Sequence, residues 1–464
     1  MKSPHLARST ESETPAAGTG CSLVWFRDDL RVSDNPALDA AARRERPVVG
    51  VYVLDEQSTG IRPLGGAARW WLHHSLERLA ESLDKLNIPL VLRRGRAGAI
   101  LPELAISAGA SFVAWNRRYG GPEAAVDTEA ETTLKGFGIA VESFAASLLH
   151  EPWSLKPATA PHYRVYTPFW KAALSASEPR RPLPAPRAVP GFEGAIPSQT
   201  PEDWGLSPRE PDWSGGLAET WAPGEAGALA RFERFVDSGI AGYSRLRDRP
   251  DLGATSMLSP HLRFGEISPH QVWHAVRGHG EGAGADKFLG ELGWREFCWH
   301  LLFHNPDLAT RGLDGRFDEF PWRDDSDALA AWQRGRTGYG IVDAGMRQLW
   351  TTGWMHNRVR MIAASFLVKD LLIDWRAGEA WFWDTLVDAD AANNPASWQW
   401  VAGCGADAAP FFRVFNPDLQ QRKFDPDGAY VGRWTGGDVE PAKRIVDHAA
   451  ARERALAAFR ATKA

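Results

Sequence analysis

The sequence predicts two domains of different class, an α/β domain built on a parallel sheet and an all-α domain, joined by a long Pro-rich linker. Three observations carry this. Short β-rich runs alternate with amphipathic stretches from Cys21 to about His150, prolines crowd residues 151–221, and beyond about Pro223 β-type alternation gives way to long helical patterns. At 464 residues the chain is long enough for each part to bury a core of its own. The expected divisions are a flexible tail at 1–20, the α/β domain at 21–150, the linker at 151–221 and the helical domain at 222–464.

In chain order, CSLVWF, PVVGVYVL, IPLVLR, SFVAW and GIAVESF read as strands, with helix-like segments such as Ala67 to Leu86 between them. Strand and helix alternation of this kind implies parallel strands covered on both faces. The turn after the first run, RDDLRVSDNPAL, carries no GxGxxG, so no dinucleotide fingerprint is present; Ser33 or Asp34 suits the cap of a helix with Pro36 in its first turn. In the linker, EPWSLKP, RRPLPAPRAVPG and SPREPDWSGG fit an extended connector better than a packed element. In the second domain, MHNRVRMIAASFLVKDLLIDW places Val359, Ile362, Ala363, Phe366, Leu367 and Leu371 on one apolar stripe of a single helix.

Bulk properties narrow the function classes. Cys21, Cys298 and Cys404 are too few and too scattered for a disulfide framework and lack CxxC spacing, so a reducing cytoplasmic setting and no metal site are expected. No apolar run approaches the ~20 residues of a membrane span, and the opening MKSPHLARSTESETPAAGTG lacks the apolar core of a signal peptide. The net charge of -5 does not advertise a nucleic-acid partner, although a local basic surface suffices for one. Of 22 tryptophans, 16 lie beyond residue 200; most such side chains serve as core, so any functional role has to be argued ring by ring.

Four segments there could carry chemistry. In YSRLRDRPDLGATSMLSPHLRFGEISP, Arg247, Thr255, Ser256 and Ser259 could hold a pyrophosphate at a helix start, or simply cap helices. In GELGWREFCWH, Glu291, Trp294 and Arg295 share a helix face that could stack on a base and accept its hydrogen bonds, or form a surface Glu291–Arg295 ion pair over a core ring. Around TGWMHNRVRM, Trp354, Asn357 and Met361 share one face while Arg358 and Arg360 point elsewhere. In DTLVDADAANNPASWQWVAGCGADAAPFFRVFNP, burying Asp388, Asp390, Asn393 and Asn394 demands polar partners, whether a bound heterocycle, an arginine such as Arg360, or the backbone of a helix start.

Together with VWFRDDLRVSDNPAL and AWQRGRTGYGIVDAGMRQLWTTGWMHNRVRM, these segments resemble the photolyase/cryptochrome family, over about residues 21 to 435. The resemblance, strongest to bacterial class I-type repair of cyclobutane pyrimidine dimers, implies a Rossmann-like antenna domain, a helical domain holding folded FAD, UV-damaged DNA as partner, and a monomer. It implies pyrophosphate contacts at Tyr243, Arg247, Thr255, Ser256 and Ser259, and flavin-ring contacts at Arg360, Asp388, Asp390 and Asn394, with Asn394 opposite N5 and Arg360 paired with Asp388. An asparagine there favours the reduced flavin of repair enzymes over the neutral radical of plant-type cryptochromes, which carry Asp. The resemblance also implies an electron relay of Trp398, Trp375 and Trp322, from flavin to surface, and lesion contacts at Glu291, Trp294, Arg295, Asn357, Met361 and Trp400. Arg358 and Arg413 would hold DNA phosphates. Enzymes for (6-4) photoproducts place His where this chain has Asn357 and Met361, so that lesion is disfavoured. For the antenna pigment, WNRRYGGPEAAVD departs from the family's pattern; methenyltetrahydrofolate comes first, ahead of 8-hydroxy-deazaflavin and FMN. A blue-light-signalling cryptochrome and a degenerate scaffold without flavin are the rival readings; the first commonly carries a long C-terminal extension, and the second sits poorly with intact flavin-site residues.

Overall fold

A computed structural model describes residues 20–408, 412–436 and 443–462; all but the last residue of the expected tail lies outside them. The five β-rich runs form β1 (Ser22–Phe26), β2 (Val48–Leu54), β3 (Leu90–Arg94), β4 (Phe112–Asn116) and β5 (Ala140–Phe144). They make one parallel sheet in the order β3-β2-β1-β4-β5, with Val24 opposite Gly50 on one side and Ala114 on the other. Helices α1 (Pro36–Ala42), α2 (Gly66–Asp84), α3 (Ala97–Ser107) and α4 (Gly121–Gly136) supply the crossovers. Alternation along β1 is invisible as polarity because both faces are buried: Leu23 and Trp25 pack with α3 and α4, and Val24 and Phe26 with α1 and α2.

The cap of α1 is Asn35, whose side chain accepts from the Leu38 amide, and not Ser33 or Asp34. Asp34 adopts a left-handed conformation (φ 50) and turns its carboxylate to Arg180, the Leu183 amide and Ser268. The connector is also more than an extended strap. It folds α5 (Tyr166–Ser175) and α6 (Gly215–Thr220) and buries Phe169, Trp204, Leu206, Leu217 and Trp221. Its prolines break the local pattern, but its aromatic residues find partners in both domains.

The helical domain comprises α7 (Glu225–Ser238), α8 (Tyr243–Leu246), α9 (Ser259–Arg263), α10 (Pro269–His279), α11 (Ala283–His304), α12 (Ser326–Gln333), α13 (Gly340–Thr352), α14 (Asn357–Ser365), α15 (Trp375–Thr385), α16 (Asn393–Ala402), α17 (Pro417–Phe424), α18 (Ala429–Thr435) and α19 (His448–Ala461). The expected apolar stripe is buried, yet it belongs to two segments: α14 ends at Ser365 and residues 366–370 continue as a π-helix. His356 caps α14 by accepting from the Arg358 amide, which leaves Trp354 before the helix and off the face shared by Asn357 and Met361. No helix among the described residues is long and apolar enough to cross a membrane.

The two domains share a core. The cluster beneath β1 and α2 continues without a break into Phe264, Trp354 and Val387 of the helical domain. At the β1/β4 switch point, where open α/β sheets commonly bind ligands, Asp29, Asn35 and Asn116 bond one another and Arg27 pairs with Asp127. The turn after α9 closes over them: Leu30 N donates to Phe264 O (3.0 Å), Arg31 to Gly265 O (2.8 Å) and Arg263 to Asp28 (2.5 Å). Gly265 has φ +64, and a Cβ there would stand 2.1 Å from Asp28 O, so only glycine allows this approach.

Candidate functional site

A cavity of about 530 Å³ opens in the helical domain between α8 and α9, α11, α14, and the segment leading into α16. Arg360 projects from α14 and donates through both terminal nitrogens to Asp388 (3.0 and 2.8 Å), while its Nε donates to Met355 O (2.7 Å). Asp388 also accepts from Ser259 Oγ (2.5 Å), which in turn accepts from Trp354 Nε1 (3.3 Å). The Asp388 side chain is 3% exposed, so its charge is sustained by this fork and hydroxyl.

Asn394, in the first turn of α16, donates Nδ2 to both the side chain and the backbone oxygen of Glu379 on α15 (2.8 and 3.1 Å). No hydrogen bond to Asn394 Oδ1 is made among the described residues, so that oxygen is the acceptor left for the cavity. Asp390 also lines the cavity, but it serves the chain: its carboxylate accepts from the amides of Ala392 (2.8 Å) and Asn393 (2.5 Å) and from Asn393 Nδ2 (2.7 Å). The helix-start reading thus holds for Asp390 and fails for Asn394.

Tyr243, Arg247, Ser256 and Ser259 also line the cavity, whereas Thr255 does not. Arg247 is engaged with Glu291 Oε1, an oxygen that Lys287 also approaches (3.3 Å). A phosphate-binding candidate and a lesion-binding candidate therefore form one ion pair in this structure. The alternative Glu291–Arg295 pair is absent among the described residues. Arg295 donates instead to Ser147 O (2.8 Å) and to the Glu296 carboxylate (3.4 Å).

The cavity mouth is aromatic and sulfur-bearing. Trp294 stacks on Tyr166 of the connector, with centroids 3.7 Å apart and planes 9° from parallel, and Trp400 stands on α16. Asn357 is exposed, Met361 half-buried, and Arg358 pairs with Asp248 (2.8 Å) and lies over Phe424. Arg413 is exposed and faces a smaller adjoining cleft, which shares Trp400 and Val401 with the main cavity.

Trp398 lines the cavity; it and Trp375 are buried in one hydrophobic cluster, against which half-buried Trp322 packs. Trp398 also meets Phe382 (5.0 Å between centroids) and Trp332 (6.1 Å). Sequence reasoning missed Glu379, Arg62, Tyr166 and Trp332, because each reaches its partner across many residues and none sits in a local motif. It also missed Glu296, whose buried carboxyl accepts from the Leu149 and His150 amides and is pushed up to about 7 by desolvation, Arg295 and those amides opposing. His356 beneath α14 is pushed down to about 4 by burial. His73, His74 and Glu77 bring possible metal-ligand atoms within 4.8 Å of one another, but none of them lines the cavity.

A family model described as DNA photolyase matches residues 22–187, and one described as the FAD binding domain of DNA photolyase matches residues 288–437. The chain is 50% identical to deoxyribodipyrimidine photo-lyase of Agrobacterium fabrum, over 95% of this chain and 98% of that protein. It is 39% identical to Cryptochrome-1 of Arabidopsis thaliana, over 89% of this chain and 62% of that protein. Among solved structures, a bacterial class III photolyase from Agrobacterium tumefaciens superposes with a TM-score of 0.92 at 48% identity, covering 98% of this chain and 100% of that one. That relative is described as class III, where the sequence had suggested class I.

Proposed function

The chain belongs to the photolyase/cryptochrome family and carries its FAD-binding domain, and on that premise we propose that it repairs cyclobutane pyrimidine dimers in UV-damaged DNA. The cavity residues fit FAD. Arg360 supplies fixed positive charge beside the ring, Asn394 an acceptor for a protonated N5, and Tyr243, Arg247, Ser256 and Ser259 the pyrophosphate end. Reduced FAD supplies a light-driven one-electron donor; everything else is done by the chain.

A dimer stacks and pairs poorly, so flipping it out of the duplex costs less than flipping normal bases. Trp294, braced from behind by Tyr166, and Trp400 form the walls against which its rings pack. Glu291 accepts from the lesion through Oε2, since Oε1 is held by Arg247 and Lys287. The electron given to the dimer splits the cyclobutane ring and then returns, so no net redox change accumulates. Trp398, Trp375 and Trp322 would carry an electron inward to bound flavin before repair, with a reductant in solvent restoring Trp322, and would take no part in ring splitting. Arg358 and Arg413 hold phosphates in a salt-sensitive, largely sequence-independent way.

The observation that carries the reading is the meeting, in one cavity, of Asn394 with its acceptor oxygen free and a mouth built from Glu291, Trp294, Asn357 and Met361. A mouth without an imidazole at 357 or 361 suits a lesion that needs an electron and no proton transfer. The test is illumination of the chemically reduced protein with DNA containing a thymine dimer, scoring intact thymines. Light-dependent recovery is expected; no recovery refutes repair, and recovery with (6-4) DNA alone refutes the lesion assignment. An antenna pigment, methenyltetrahydrofolate first, is read from the absorption spectrum of the protein as isolated.

A further inference from the structure

The flavin-facing amide is held from the other domain. The loop before α2 and the first residue of α2 meet α15 at four points: Arg62 donates to both oxygens of Glu379 (2.7 and 3.0 Å), Arg62 lies 4.0 Å over the Trp383 ring, Trp383 Nε1 donates to Pro63 O (2.9 Å), and Gly66 N donates to Asp384 (2.8 Å). The approach is tight enough that a Cβ on Gly65 would stand 2.1 Å from Trp383 O. Glu379 is 3% exposed, and both its carboxylate and its backbone oxygen accept from Asn394 Nδ2.

We propose that Arg62 is a positioning residue for the flavin site: by fixing the Glu379 carboxylate it holds the Asn394 amide with Oδ1 free, so docking of the α/β domain sets how well protonated N5 is stabilised. An asparagine amide offers a donor or an acceptor depending on a 180° rotation, and only a partner of fixed polarity decides which. An ionised carboxylate accepts and cannot donate, so it selects the orientation with Nδ2 turned to it. The carboxylate needs a cation to remain buried, and Arg62 provides one with two-point geometry that also fixes the plane of the group. Without Arg62 the Glu379 carboxylate loses its two-point clamp and can rotate toward water, which leaves the Glu379 backbone oxygen (3.1 Å) as the one acceptor on Asn394 Nδ2; the amide is then held more loosely and more readily turns its donor toward N5, which favours the oxidised ring.

The assignment rests on the flavin reading above, and the test separates the two. Wild type, Arg62→Ala, Arg62→Lys, Asn394→Ala and Arg62→Ala/Asn394→Ala are each loaded with FAD. The reduced-to-oxidised ratio of bound flavin is read by absorbance at a fixed poise against a reference dye. Arg62→Ala is expected to shift the ratio about tenfold toward oxidised, the scale of one well-made hydrogen bond; Arg62→Lys shifts it less, because a point charge keeps the carboxylate ionised without the fork. In the Asn394→Ala background, Arg62→Ala is expected to add nothing. An equal shift in both backgrounds, or a ratio unchanged by Arg62→Ala while FAD remains bound, overturns the positioning role. Failure of the wild type to hold FAD, or an unchanged ratio in Asn394→Ala, overturns the flavin reading and the assignment with it.

Discussion

Asp388→Asn probes the innermost polar contact of the cavity. The wild-type carboxylate accepts three hydrogen bonds, two from Arg360 and one from Ser259, with its side chain 3% exposed and that of Arg360 23% exposed. The amide replaces one acceptor by a donor, and because each Asp388 oxygen accepts from one Arg360 nitrogen, one of those nitrogens faces a donor whichever way the amide is turned, while the Ser259 hydroxyl can rotate to accept. A charge-assisted hydrogen bond is worth ~1.5–3 kcal/mol and breaking a buried pair ~3–5 kcal/mol. Water reaches about a quarter of Arg360, so we take the lower part of that range, about 2–3 kcal/mol. If the fork is what arranges the ring-side wall, FAD affinity measured by fluorescence quenching falls by roughly 30- to 150-fold, since each 1.4 kcal/mol is tenfold. The double variant Arg360→Met/Asp388→Asn tests whether the two act as a unit. Its loss should fall short of the summed single losses by about 2 kcal/mol, because the second substitution removes an already unpaired group. Additivity within ~0.5 kcal/mol would refute the claim that the pair works as one element of the site.

Two further perturbations address the relay and the connector. Trp398→Phe removes the ring that joins the cavity to the buried cluster, so photoreduction should be lost while repair by chemically pre-reduced protein persists; equal loss of both would place Trp398 in the repair step itself. Glu296 carries its proton to about 7 in the folded chain against an ordinary value of 4.5, so the stability gained by binding that proton is full below 4.5 and lost as pH rises through 7. Glu296→Gln removes this titration. The stability of wild type relative to the variant should therefore fall by up to about 3 kcal/mol between pH 4.5 and pH 8 in urea denaturation, and a flat difference would refute the buried-acid account.

Much of the fold was legible because local pattern and tertiary environment agree. The five β-rich runs became the five strands: β1, β2 and β4 are buried throughout, as continuous apolar, β-branched stretches of a parallel sheet ask, while the edge strands β3 and β5 are partly exposed. Agreement stops in the connector. Its prolines predict an extended path, but the helix Tyr166–Ser175 forms because Phe169, Trp170 and Tyr166 have α11 to pack on, and no local pattern reveals that partner. Similarly, helical spacing correctly put Glu291 and Arg295 on one face of α11 and still misjudged their pairing. Arg295 is engaged by the Ser147 carbonyl just before the connector, and Glu291 pairs instead with Arg247, 44 positions earlier in sequence.

That contrast explains which site residues could be found. Helix period and family motif locate side chains that face a cavity, which is why Asn394, Asp388, Arg360 and Trp398 were within reach. They say nothing of the partner that meets the desolvation cost of each polar group, and that partner determines what the group can still offer a ligand. Asp390 and Asn394 are four residues apart and both line the cavity, yet the first has spent its carboxylate on the amides before α16 while the second keeps Oδ1. The difference is made by Glu379, and behind it by Arg62, 317 positions away in sequence. A residue's role in this site is therefore set by the polarity of the group behind it, which only the packed structure supplies.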